Sequence, residues 1–145
     1  MPTARKSALV PHSCETLFAI VDDVERYPEF LPWCSGTRVL GRDAATTHAR
    51  IDIDYHGLRS HVTTRNAKEP PHRMTLELEE GPFERFQGEW TFRALGAQGC
   101  RVEFALEYKA AGAVAAMLEG VFGYIAGTLV DRFVERAAQL SGSAP

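Results

Sequence analysis

The chain predicts an α+β fold in which a curved antiparallel sheet of six or seven strands wraps around one long C-terminal helix, with two short helices after the first strand. Three observations carry this. From about Arg38 to Lys109 apolar residues recur with period two between regularly spaced turn signals, which is the pattern of an antiparallel meander. From Gly112 to Leu140 the chain is alanine-rich, and Val114, Leu118, Val121, Phe122, Ile125, Leu129, Phe133 and Leu140 fall in one broad arc of a helix. The inward phase of the meander carries Tyr55, Phe86, Trp90, Phe92, Phe104 and Tyr108, so the sheet has one apolar face to bury, and the long helix is the element able to cover it.

In chain order, a first strand is expected around Thr3 to Val10. Ser13 is a good N-cap ahead of Leu17, Phe18 and Val21, which make one apolar face of a short helix ending near Asp22-Asp23. The segment Tyr27-Pro28-Glu29-Phe30-Leu31-Pro32-Trp33-Cys34 follows. Pro28 and Pro32 each remove a backbone donor and push the preceding residue out of the helical region, so only a short, bent element fits here. Its aromatic rings and Leu31 need an apolar cover. It either plugs one end of the core or rims an apolar pocket.

The meander reads most cleanly where Ala49, Ile51, Ile53 and Tyr55 alternate with Arg50, Asp52, Asp54 and His56. His56-Gly57 makes a turn, and Leu58, Val62 and Thr64 face inward on the next strand, which Glu69-Pro70-Pro71-His72 closes. Met74, Leu76 and Leu78 mark a further strand, and Gly81-Pro82 turns the chain. Phe86, Trp90 and Phe92 then precede the turn at Gly96 to Gly99, and Val102, Phe104, Leu106 and Tyr108 form the last strand.

At 145 residues the chain makes a single domain over 1–145, long enough to bury about two-thirds of its unfolded surface. A net charge of −3 with interspersed signs argues against a DNA-binding protein. Cys14, Cys34 and Cys100 lie far apart with no CxxC spacing, so neither a disulfide framework nor a zinc site is expected, and a reduced, cytoplasmic protein fits best. The N-terminus lacks an apolar signal core, and no run of about 18 apolar residues predicts a membrane span.

Gly120, Gly123 and Gly127 form one narrow stripe with Ala116 on the long helix. Each interior glycine costs about 1 kcal/mol against alanine, so the stripe needs a reason. Either the helix backbone presses closely on the sheet or the stripe leaves room for something else. With an aromatic sheet face opposite, an apolar pocket is the expected site. Its candidate ligand-binding residues are Tyr27, Phe30, Leu31 and Trp33 at the entrance, Tyr55, Phe83, Phe86, Trp90 and Phe104 on the sheet side, and Met117, Val121 and Ile125 on the helix.

Enzyme chemistry is not legible. His48, His56 and His61 fall on the outward phase, His12 and His72 sit in turns, and no nucleophile and base can be paired at a readable spacing. Glu84 is in phase with Phe86 and Trp90 but adjoins a turn, which favours a solvated edge. Cys34 lacks a cationic neighbour that would activate it. No catalytic residue, metal ligand or required cofactor is expected, and Glu84 and Tyr108 are the weak candidates that a cyclase or hydrolase would need.

The succession Ala8-Leu9-Val10 with Ser13, Tyr27 to Cys34, Gly81-Pro82-Phe83 with Gly88-Glu89-Trp90-Thr91-Phe92, and Cys100-Arg101-Val102-Glu103-Phe104 resembles the coenzyme Q-binding branch of the START-like, polyketide-cyclase-like superfamily. The resemblance implies a helix-grip fold and two kinds of role. One is non-enzymatic binding of ubiquinone or another prenylated quinone, as a carrier supporting respiratory electron transfer, with the apolar Tyr27–Cys34 segment touching the inner membrane peripherally. The other is that of a RatA-type ribosome association toxin, binding the large ribosomal subunit through exposed basic residues such as Arg59 and Arg65 and blocking subunit joining. Trp33 before Cys34 leans toward the quinone side, which is the main expectation; Asp131-Arg132-Phe133-Val134-Glu135-Arg136-Ala137 fits RatA-like chains equally. Relatives often carry bulky residues where Ala110-Ala111-Gly112-Ala113-Val114-Ala115-Ala116 stands, and small side chains there are expected to enlarge that end of a cavity or to loosen the helix.

Overall fold

A computed structural model describes residues 3–140. Residues 1–2 and 141–145, which the sequence reading includes in the domain, lie outside the described residues. The strands are β1 (Thr3–Val10), β2 (Cys34–Arg42), β3 (Thr46–Tyr55), β4 (Leu58–Glu69), β5 (Arg73–Glu80), β6 (Phe83–Leu95) and β7 (Gly99–Ala110). The α-helices are α1 (Cys14–Asp22) and α2 (Ala115–Leu140), and a 3-10 helix spans Val24–Glu29.

All seven strands pair antiparallel in one sheet of order β1-β7-β6-β5-β4-β3-β2. The order is that of a meander with one exception. β1 returns to pair with β7, its far neighbour in sequence, from Thr3 opposite Glu107 to Val10 opposite Cys100. The chain then leaves the sheet through α1 and the 3-10 helix before re-entering at the opposite edge, so both short helices must bridge the open side, where α2 lies against β7, β1 and α1.

Local chemistry sets these boundaries. Ser13 caps α1, its Oγ accepting from the Thr16 N–H at 3.1 Å. His56 and Gly57 adopt φ of 50° and 85°, the left-handed pair that closes a two-residue hairpin with the twist of its strands. Two boundaries differ from the sequence expectation. β2 begins at Cys34, four residues before the first clear alternation, because the Cys34 end pairs with Ile53 through a register shift that hides the period. α2 begins at Ala115 rather than Gly112, because Gly112 takes a φ of 92°, outside the helical region, and turns the chain after β7 instead.

The core sits between the inner sheet face and α2, which buries Leu118, Phe122, Ile125, Val130 and Phe133. Val114, just before the helix, and Leu140, its last residue, are placed by periodicity on the apolar arc but are exposed. Phe133 is the hub: its ring meets those of Tyr27, Phe30 and Trp90 at 5.4, 5.3 and 5.2 Å, all edge-on.

Candidate functional site

Between α2 and the inner sheet face lies a cavity of about 80 Å³, walled almost wholly by apolar side chains. Strand alternation supplies its floor, with Ala49, Ile53, Val62, Met74, Trp90 and Phe104 pointing up from five neighbouring strands. Phe122, Ile125, Ala126, Leu129 and Phe133 descend from α2. Tyr27 and Trp33 close one side.

Of the sequence candidates, Tyr27, Trp33, Phe86, Trp90, Phe104 and Ile125 line this cavity. The other six lie elsewhere. Leu31 is buried at 1% exposure beneath the bent segment, and Phe30 packs outside the cavity, with the Arg136 guanidinium 5.0 Å from its ring centre. Phe83 packs edge-on against Phe122 at 4.7 Å. Tyr55, Met117 and Val121 line a separate surface hollow beside the β3–β4 hairpin, together with Ala116 and Gly120. The Tyr27–Cys34 segment therefore does both things its composition allows: Leu31 plugs the core while Tyr27 and Trp33 wall the cavity.

The glycine stripe does not face the cavity. Only Gly123 is pressed, a Cβ there meeting the Tyr108 hydroxyl at 3.0 Å, while positions 120 and 127 have open space. Nor does the small-residue run Ala110 to Ala116 enlarge the cavity, since none of its members lines it.

The polar groups of the cavity are the ones periodicity obscured. β4 points Val62, Thr64 and Asn66 inward in register, and the Thr64 hydroxyl donates to Asn66 Oδ1 at 2.9 Å within the buried wall. Polar residues on an inward phase were the available signal. Trp33, 8% exposed, leaves its indole Nε1–H buried with no hydrogen-bond partner among the described residues. An unpaired buried donor is costly and is the natural anchor for an acceptor oxygen.

The candidates for catalysis disperse. Glu84 is exposed and pairs with Lys109 at 3.1 Å. Tyr108 donates to the Glu119 carbonyl at 3.4 Å, and burial, with the Glu119 charge adding, raises its pKa. Burial likewise pushes the Cys34 thiol up to about 11, away from a reactive thiolate. His48 and His61 pair on the outer face with Glu79 and Glu80. Among the described residues no three His, Cys, Asp or Glu side chains stand close enough to hold a metal ion, and no helix is long and apolar enough to cross a membrane.

A curved antiparallel sheet gripping a C-terminal helix over an apolar cavity defines the START-like class. The chain belongs to the polyketide cyclase / dehydrase and lipid transport family, which matches residues 10–134. It is 41% identical to the ribosome association toxin RatA of Pseudomonas aeruginosa over 139 residues, covering 95% of this chain and 96% of that one. To the mitochondrial coenzyme Q-binding protein COQ10 homolog B of Xenopus laevis it is 23% identical, covering 94% of this chain and 58% of that one. A Thermus thermophilus protein superposes with a TM-score of 0.84 at 21% identity, covering 97% of this chain and 99% of that one. The Zhui aromatase/cyclase of Streptomyces sp. R1128 also reaches 0.84, at 16% identity, over 95% and 94% of the two chains. The START-like resemblance read from the motifs is shown. Its balance is reversed, because the nearer relatives carry the RatA name and the coenzyme Q-binding one is distant.

Proposed function

We propose that this protein associates with the ribosome as RatA proteins do, binding the large subunit in the cytoplasm and blocking subunit joining without catalysing a reaction. The observation that carries this is the end-to-end identity of 41% with the Pseudomonas aeruginosa RatA protein, which spans every element from β1 to α2. Sedimentation with purified ribosomal subunits over a salt series tests it. Migration with the large subunit at low salt, with fewer joined ribosomes, is the expected result; protein left at the top of the gradient at every salt overturns it.

A second reading is favoured by the cavity and its unpaired Trp33 Nε1 donor: a hydrophobic ligand bearing an acceptor oxygen, such as a ubiquinone or similar prenylated quinone. At about 80 Å³ the cavity is far below the roughly 300 to 1,000 Å³ of drug-sized pockets, so a quinone ring with its tail requires the cavity to expand. Mass spectrometry of the organic extract of protein purified without detergent tests this. A stoichiometric quinone supports it, and a clean extract from folded protein counts against it.

A further inference from the structure

We propose that Cys14 and Cys100 form a peroxide-responsive dithiol that closes to an intramolecular disulfide and clamps α1 to the sheet. The two residues are 86 positions apart in sequence, yet the Cys14 thiol points at the Cys100 Sγ from 2.8 Å. Cys14 is the first residue of α1, directly after its N-cap, and Cys100 lies in β7 opposite Val10, the last residue of β1. The end of β1, the start of α1 and the start of β7 therefore converge on one pair of sulfurs. A disulfide needs about 2.0 Å between them, so the sulfurs must close by about 0.8 Å to form the bond.

Both thiols are free and buried, Cys14 at 5% and Cys100 at 0% exposure. Burial, with the neighbouring Cys14 thiol adding, pushes Cys100 up to about 12. Cys14, three residues after the exposed Pro11 and the less deeply buried of the two, is the sulfur we assign to the first oxidation, on opening of the helix end. Its sulfur attacks one oxygen of hydrogen peroxide as the O–O bond breaks; the departing hydroxide takes the thiol proton and leaves as water, giving a sulfenic acid. The Cys100 sulfur then attacks the Cys14 sulfur, the S–O bond breaks, and hydroxide leaves with the Cys100 proton as a second water. Two thiols lose two electrons and two protons, and one peroxide becomes two waters. Cys34 is an internal control, since its thiol donates to the Gly36 carbonyl at 3.6 Å and stands beside neither of the other cysteines among the described residues.

The clamp bears on the cavity. α1 leads directly into the 3-10 helix carrying Tyr27, whose hydroxyl donates to the Val21 carbonyl at the end of α1 and whose ring walls the cavity. Fixing the start of α1 restrains that wall.

The test treats the folded full chain with graded hydrogen peroxide, alkylates remaining thiols, and maps peptides without reduction. Expected are a mass loss of two hydrogens, a single Cys14–Cys100 linked peptide, a raised Tm reversed by dithiothreitol, and Cys34 still alkylated. Cys100→Ser should abolish both the link and the rise in Tm. Stable sulfenic or sulfinic acid at Cys14 without a link overturns the proposal, as do links through Cys34 or a link that forms only after unfolding.

Discussion

Lys68 keeps an ammonium group in the protein with its side chain only 4% exposed, its Nζ 3.0 Å from an Asp22 oxygen. The other Asp22 oxygen accepts from the Thr47 hydroxyl at 2.7 Å, and the Asp22 carbonyl accepts from Arg42 at 2.7 Å. The end of α1 is thus tied to β2, β3 and β4 through one residue. Removing a single partner of such a pair leaves a buried charge without compensation, so Asp22→Asn should cost about 3 kcal/mol in urea unfolding, the low end of the range because Asp22 keeps some water. Replacing Asp22 and Lys68 together by apolar residues should cost less than the single change; a larger loss would show that the pair is not the source of the stability. Nearby, the Arg42 guanidinium bonds Glu25 at 2.8 Å and holds its carboxyl at about 2, below its ordinary 4.5. Because the folded pKa is depressed, this contribution is fully present above about pH 4.5 and is lost as pH falls toward about 2. Glu25 is mostly in water, so the effect is below about 1 kcal/mol. Arg42→Ala should flatten the unfolding free energy over that window, and an unchanged acid limb would assign it to other carboxylates.

The elements show what the sequence made legible and what it did not. The meander and the long helix were readable because their periods differ and because turn residues such as His56-Gly57 punctuate them. The cavity was readable only in part. Trp90 and Phe104 follow strand phase and were found, but half the proposed ligand contacts lie elsewhere, since phase fixes a face and not a position along it. Met117, for example, is 58% exposed although its neighbour Leu118 is buried at 2%, because it points to the outer side of the helix. Val62, Thr64 and Asn66 were undervalued because polar side chains on an inward phase read as a weak strand. The glycine stripe misled for a related reason: spacing placed three glycines on one face, but contact decides what each of them does. Gly120 and Gly127 have open space where a Cβ would sit, so changing either to alanine should stabilise α2 by about 1 kcal/mol. At Gly123 the same change meets the Tyr108 hydroxyl at 3.0 Å and should forfeit that gain. Thermal unfolding of the three single variants checks the pattern, and equal gains at all three would show that Tyr108 yields freely.

At the scale of the whole molecule, a net charge of −3 hides an uneven distribution of basic residues. Arg59 and Arg65, the sequence candidates for ribosomal contact, are matched with Asp54 at 3.5 Å and Glu79 at 2.9 Å. Elsewhere the sheet register sets like charges directly opposite one another: Arg38 against Arg50, Arg85 against Lys109, and Arg93 against Arg101. Directly opposed like charges destabilise a sheet unless a carboxylate relieves them, as Asp52 does for Arg50 at 2.7 Å and Glu84 for Lys109 at 3.1 Å. The third pair is the least relieved. The nearest carboxylate to Arg101 is that of Glu103, at 3.9 Å, and Arg5 holds the same residue at 3.3 Å. If this face meets ribosomal RNA, Arg93→Glu should have two opposite effects. It should stabilise the free protein by about 0.2–1 kcal/mol by turning a repulsive pair into an attractive one. It should also weaken subunit association and lower the slope of log affinity against log salt by about one for each phosphate that is no longer bound. Arg65→Ala, which removes an already neutralised charge, should change association little. A gain in stability with undiminished association would move the RNA-binding surface to another face, and a drop in both would mean that Arg93 supports the fold itself.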